Sequence, residues 1–415
     1  MFTMLVGRVK EGIMHRHVFL ILPAFFLAAC EQAPVPEEAA KGALSAQEPV
    51  AQEGKEVRSR FDTAGLGPMS SEEFRDLARR ALSLLEEGKG DEARQLVVEA
   101  LELRPGHPGL MRLLKFVEMV EENWESVVDL TTQRLARDPD ALEFMGTRAE
   151  ARFMLQDIDG TQRDLLDLID RIEKAPGGCE SPDYLRSAAK AFLATTYYSV
   201  GDLEEAERMA QEVLKDQPKT LQARFVQALV ANKRDDIDGA LKIYKEILKE
   251  APSCSACLNN IGVLHYRQHR LAEARNDFLA ALKETSPLDR HGLAIVHSNL
   301  ADLLVLEGKY KKAEARYREA ISASSRYSGP YYGLAQLYDI EGRLREARAM
   351  MQQALLLDPM GLDHYNSEFI EPEWRWHLEA LMAEARGNGD HARGLFEKVA
   401  QGSVEVLRQA AMRHL

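Results

Sequence analysis

The chain has 415 residues, 45% apolar and 29% charged, and a formal charge of −13. That length exceeds one ordinary compact core, while the composition is that of a globular protein. So acidic a body repels phosphate backbones, and no basic run or aromatic–basic interleaving stands out, which argues against nucleic-acid partners.

Residues 14–30 run from a short basic start, through about a dozen apolar residues, to small residues ahead of a cut site. That pattern predicts a secretory signal peptide over 1–29, with Met1 or Met14 as initiator. The apolar run falls short of the roughly 20 residues that span a bilayer. Leu27-Ala28-Ala29-Cys30 resembles a bacterial lipobox, in which the Cys becomes the acylated first residue of the mature lipoprotein. An ordinary signal peptide that ends near a cysteine is the competing reading. On the lipobox reading Cys30 carries the lipid (palmitate among the acyl chains), and acyl chains acting together hold it to the membrane. Glu31 follows Cys30 in place of the Asp that, by the same resemblance, favours inner-membrane retention, so the expectation is the periplasmic face of the outer membrane. Loss of 1–29 removes Arg8, Lys10 and Arg16 against Glu11 and leaves the mature chain at −15.

Residues 30–70 are rich in Ala, Pro, Glu and Gln and nearly free of aromatics, a composition that does not order itself. They are predicted to form a disordered tether with a reach of roughly 35 Å.

From residue 71 the chain keeps a period of 34. Ala206, Ala240 and Ala274 are one period apart, as are Ala313 and Ala347, Pro105 and Pro139, and Pro218 and Pro252. Such a period marks helix–turn–helix solenoids, whose units cannot bury an apolar face alone. The clearest unit starts at 328, with Ala335, Tyr338, Gly342-Arg343, Ala347, Met351, Ala354 and Pro359. Further units start at 74, 187, 255 and 294, and degenerate ones at 108, 142, 221 and 373. The unit from 108 places Lys115 and Arg134 where small residues are expected. Through these residues 71–407 resemble the tetratricopeptide repeat family, and bacterial envelope lipoproteins within it. The resemblance implies an all-α helix-turn-helix solenoid, a right-handed superhelix of eight or nine repeats, with a capping helix over 402–415. The period slips by about eleven residues near 175–182, five near 286–292 and eleven near 361–372. Insertions in solenoids are expected as loops, and the first, with Pro176-Gly177-Gly178-Cys179, predicts a break in the array. Tyr365, Phe369, Trp374 and Trp376 gather at the last; capping the final apolar layer is favoured over a partner contact.

Cys254-Ser-Ala-Cys257, His265 and His269 look like a zinc set, but helical rise places Cys257 and His265 about 12 Å apart. No metal or cofactor is expected. Cys254 and Cys257 remain as a disulfide in an oxidising compartment, as a redox pair near a helix start, or as small packing residues. His265 reads as a core histidine, and His269 suits a helix C-terminus. No phosphate loop, zincin or nucleophile-elbow motif is present in the sequence, and the Glu pairs fall at turns and helix starts. The expectation is a binding protein, not an enzyme.

By the same resemblance, positions 2, 5, 9, 12 and 13 of the first helix of each repeat line a concave groove. Here these are Thr195, Tyr198, Gln222, Phe225, Asn232, Lys233, Asn259, Tyr266, Arg267, Ser298, Asp302, Tyr332, Gln336 and Asp339. Amides and rings suit an extended peptide. Lys233 and Arg267, at position 13 of adjacent repeats, are a candidate carboxylate-binding pair. Asn260 and Asn299 sit at position 6, where a structural role is expected. Together these features imply a lipid-anchored scaffold that binds proteins or extended segments of envelope machinery and touches the membrane through its lipid. Pilus or secretion assembly is the favoured context. Adaptors for peptidoglycan enzymes, barrel assembly and polysaccharide export are alternatives, as is thiol–disulfide activity at Cys254/Cys257.

Overall fold

A computed structural model of the chain describes residues 69–174, 182–359 and 372–415. The predicted signal peptide, Cys30, nearly all of the tether, Cys179, Tyr365 and Phe369 lie outside the described residues. Every regular element among the described residues is a helix. The chain divides into two compact units, 69–196 with 286–288, and 197–285 with 289–415.

The first unit contains α1 (Ser71–Glu86), α2 (Gly90–Leu103), α3 (Pro108–Val120), α4 (Trp124–Arg137), α5 (Leu142–Met154) and α6 (Ile158–Lys174), and ends within α7 (Pro182–Ser199). The second holds α8 (Leu203–Asp216), α9 (Leu221–Lys233), α10 (Ile237–Glu250), α11 (Ser255–Arg267), α12 (Leu271–Glu284), α13 (Arg290–Leu306), α14 (Tyr310–Ala323), α15 (Gly329–Ile340), α16 (Leu344–Leu357), α17 (Pro372–Ala385), α18 (Gly389–Ala400) and α19 (Glu405–Ala411). Odd-numbered helices are the A helices of the repeats and even-numbered ones the B helices. This is the helix-turn-helix repeat architecture that the 34-residue period predicts.

The turn inside each hairpin follows from one backbone requirement. Gly88, Glu122, Gln156, Gly201, Asp235, His269, Gly308, Gly342 and Gly387 all have positive φ, and each stands fifteenth in its repeat. A left-handed residue there lets the next amide turn back. The N–H of Lys89 donates to Leu84 O (2.8 Å), that of Arg270 to His265 O (2.9 Å) and that of Arg343 to Tyr338 O (2.8 Å). The following residue then opens helix B. Asp202, Asp236 and Asn388 accept from the N–H three residues on through their side chains. Helix B stops ahead of proline: Pro105, Pro139, Pro218, Pro252 and Pro359 each lie two residues past its end.

Spacing between left-handed residues also measures the insertions. It is 34 except from Gln156 to Gly201 and from Gly342 to Gly387, where it is 45, and from His269 to Gly308, where it is 39. The insertion near 286–292 is not simply a loop, which corrects the expectation for it, while those near 175–182 and 361–372 lie almost wholly outside the described residues. The five extra residues near 286–292 largely form an added turn at the start of α13, which has 17 residues against 13 in α9 and α11. Similarly, α6 has 17 residues where α4 has 14. Adding a turn keeps backbone groups hydrogen-bonded, which an open loop does not.

Within each unit the core lies between the helices of a hairpin and between hairpins. Ala81, Ala93, Ala206, Ala240, Ala274, Ala301, Ala313 and Ala335 are fully buried, so the small positions bring helix axes close. Tyr244, Phe278, Tyr317 and Phe396 fill the gaps between them. Trp374 joins the core at the end of the second unit and Trp376 packs against it, the capping role favoured from sequence.

Candidate functional site

The predicted groove residues sit on the A helices, and the structure carries most of them below the surface. Thr195, Tyr198, Gln222, Phe225, Asn232, Asn259, Tyr266, Ser298, Tyr332 and Asp339 are buried, so for these ten the reading as displayed peptide contacts is corrected. Lys233, Arg267, Asp302 and Gln336 are half-buried. The reason is the close approach of the elements around each A helix. Asn299 on α13 reaches Asn259 on α11 (2.8 Å), and Tyr332 donates its hydroxyl to Asp358 O (3.1 Å). Gln336 on α15 donates to Trp374 O on α17 (2.8 Å). Asn259, Arg267, Gln336 and Asp339 thus engage another repeat, while Thr195 and Ser298 donate to carbonyls of their own helix.

The Lys233/Arg267 pair changes most. Arg267 donates to Asn232 O (3.1 Å), to the Asn232 side-chain oxygen, and to Asp235 (2.7 Å). Its charge is therefore directed at Asp235 of the preceding turn, which corrects the reading of Lys233 and Arg267 as an open carboxylate site. Asp302 accepts from the hydroxyl of Tyr317, whose phenol burial holds well above its usual range.

Cys254 and Cys257 are joined by a disulfide, with their Cα atoms 5.3 Å apart. Cys254 is the N-cap of α11 and half-buried; Cys257 is fully buried and donates its N–H to Cys254 Sγ (3.2 Å). His265 is buried with Nδ1 2.6 Å from Asp277 Oδ2. His269 is the exposed left-handed turn residue. The four residues thus serve a cap, a core contact and a turn.

The degenerate repeats hide charges rather than small residues. Lys115 is buried, donates to Thr147 (3.2 Å) and lies 4.8 Å from the Phe144 ring centroid; the Arg134 guanidinium lies 5.6 Å from the same ring. Glu150 is buried as well, and desolvation pushes its carboxyl up to about 8, with the Lys115 charge working against that rise. An open groove between α1 and α2, bordered by Arg80, Ser83, Asp91, Glu92, Gln95 and Glu99, was not expected from sequence.

Models of the tetratricopeptide repeat match residues 193–253, 254–326 and 304–366. A human protein, Protein O-mannosyl-transferase TMTC1, is 25% identical over 167 residues, 40% of this chain and 19% of that protein. The chain thus spans about a fifth of that relative's length. Among solved structures, PilW, a type IV pilus biogenesis factor, is 22% identical with a TM-score of 0.38, over 54% of this chain and 97% of its own. PilF of Pseudomonas aeruginosa is 19% identical with a TM-score of 0.39, over 55% and 97%. Yeast Tom70 is 14% identical with a TM-score of 0.39, over 83% and 95%. Among the described residues nine hairpin turns stand in register, and the family models match in tandem over 193–366, so this stretch consists of tetratricopeptide repeats.

Proposed function

We propose that the protein is a lipid-anchored scaffold of the bacterial envelope, which binds protein partners through its repeats and carries no catalysis. One observation carries the scaffold reading: consecutive A helices stand side by side and linked, Arg267 to Asn232 and Asn299 to Asn259. That gives a prepared face on which Lys233, Arg267, Asp302 and Gln336 stay half-buried. A preformed face spares an extended segment part of the ordering cost of binding. The anchor reading is supported by Leu27-Ala28-Ala29-Cys30 behind its apolar run, and the outer-membrane address by Glu31.

Pilus or secretion assembly is the narrower context we favour, by analogy with long lipid-anchored repeat proteins; fold alone does not fix it. The test is crosslinking of intact envelopes followed by pull-down. Capture of components of one assembly machine, lost when Lys233 and Gln336 are both replaced by Ala, supports the reading. Metabolic labelling with a palmitate analogue tests the anchor. Label on the wild type and none on Cys30→Ser is the expected pair, and an unlabelled wild type removes the anchor.

A further inference from the structure

Three elements of the second unit meet at one carboxylate. Asp339, at the end of α15, is wholly buried. Its Oδ2 lies 2.7 Å from His377 Nε2 on α17, and its Oδ1 lies 2.8 Å from His414 Nε2, just past α19. Gln336 Nε2 donates to Trp374 O (2.8 Å) and faces His377 Nδ1 (3.2 Å). His377 therefore accepts at Nδ1 and donates its one N–H to Asp339.

His414 has no such choice. Its other nitrogen, Nδ1, lies 3.0 Å from Glu384 Oε2 on α17. Both ring nitrogens face carboxylates, and only the imidazolium, with a proton on each, satisfies both. The ring also stacks on Phe396 of α18, with centroids 4.1 Å apart and planes 10° apart. Next to it Arg413 donates to the carbonyls of Asp339 and Ile340, closing the end of α15. Among the described residues, the charged and titratable groups about His414 and its partners are Asp339 from α15, Arg348 from α16, which pairs with Glu384 (3.5 Å), His377 and Glu384 from α17, and Arg413 from its own segment; α18 packs the ring of Phe396 against it.

We propose that segment 405–415 is a pH-governed latch, locked onto α15 and α17 by the His414 imidazolium between Asp339 and Glu384 and slackened when that proton is lost. Opening the latch uncovers the face of Phe396 and the Asp339 end of α15, which lies at a groove position of its repeat. The sign follows from the directions of the two shifts. Burial pulls His414 down, but the hydrogen bond and charge of Asp339, with Glu384, outweigh it and raise it above its ordinary 6.5. Its contribution is complete below about 6.5 and is lost as pH climbs through the raised value. Asp339 is burdened by burial, yet the two imidazoles hold it well below its ordinary 3.8. Its contribution is present above that value and fails only in strong acid. The lock is tightest between those limits and loosens on the alkaline side.

Hydrogen exchange of the full chain at pH 6 and pH 9, corrected for intrinsic amide rates, tests this. Amides of 405–412 are expected to lose protection roughly tenfold more than those of α15 at pH 9, and this excess should vanish in His414→Gln. Glu384→Gln, which leaves Asp339 and the core untouched, should lessen the excess without abolishing the fold. Equal corrected protection of 405–412 at both pH values in the wild type overturns the proposal, as does an unchanged pH response in both variants.

Discussion

Asn299 donates from Nδ2 to Oδ1 of Asn259, 2.8 Å away across the gap between α13 and α11, and both side chains are buried. Asn259 passes the link to Asn260 (3.3 Å), and Asn260 donates to the Tyr244 hydroxyl (3.0 Å). Three hairpins are thereby pinned in register by one polar chain within an apolar core. Replacing Asn259 by Ala leaves the amide of Asn299 buried without its acceptor, a loss of about 1–3 kcal/mol. The urea midpoint of the chain should fall, and Asn259→Ala with Asn299→Leu should recover part of the loss. No recovery in the double variant would show that the two amides act separately.

The left-handed turn position offers stabilisation at four sites. Glu122, Gln156, Asp235 and His269 hold φ between 56° and 66°, where the other hairpins use glycine. A side chain in that region costs about 1–2 kcal/mol, against which glycine gives back some chain entropy. Gln156→Gly and His269→Gly are each expected to raise thermal stability by roughly 0.5–1 kcal/mol. Gly308→Val should lower it, because the same position then carries a β-branched residue. A drop in melting temperature for both glycine variants would refute this account.

Close approach makes a second use of glycine. A Cβ on Gly333 would lie 2.3 Å from Tyr317 Cζ, and one on Gly262 would lie 2.6 Å from Phe278 Cε1. Both rings are buried and cannot swing aside without displacing a neighbouring helix. Gly333→Ala should therefore cost about 1–3 kcal/mol despite the helix propensity of Ala. The control is Gly394, where nothing lies within 4 Å and Ala is expected to be neutral or stabilising. Circular dichroism melts should show a clear drop for Gly333→Ala and none for Gly394→Ala.

Buried Glu150 gives the first unit a pH dependence. Its carboxyl titrates near 8 when folded, against an ordinary 4.5. The folded chain then holds a proton that the unfolded chain releases, so stability declines as pH rises from about 4.5 to 8. Glu150 Oε1 also has no hydrogen-bond partner among the described residues. Glu150→Gln keeps the shape and removes the titration. Unfolding free energies from urea titrations at pH 5 and pH 8 should differ less in the variant than in the wild type, by an amount on the order of 3 kcal/mol.

Much of this architecture was legible in the sequence because the period is enforced by local chemistry. A left-handed turn, an Asp or Asn cap and a closing proline recur at fixed offsets, and the spacing of Gly201 from Gln156 measured the insertion even where no glycine marked the turn. What the sequence hid is how far side chains reach between repeats. Arg267 read as an open cation until its partner Asp235, 32 residues earlier, came into view. His414 carried no motif at all, since its partners lie 75 and 30 residues away on other helices. Position in the repeat says which way a residue points; it does not say what is waiting there.

The Cys254–Cys257 bond is expected to be dispensable for the fold. It closes a loop of only a few residues, so its constraint on the unfolded chain is small, about 2 kcal/mol by loop-closure entropy. Its sulfur also serves as the cap of α11, since Cys257 N–H meets Cys254 Sγ at 3.2 Å. Serine in place of Cys254 preserves that cap with a better acceptor. Cys254→Ser with Cys257→Ala should therefore lower stability by no more than about 2 kcal/mol and leave partner capture from envelopes intact. A thiol–disulfide function makes the opposite forecast. The half-buried Cys254 would be the sulfur attacked by a client thiolate, with Cys257 as the leaving thiolate, and Cys254→Ser would abolish turnover of a dithiol substrate. Equal rates for wild type and variant in that assay leave the bond a structural one.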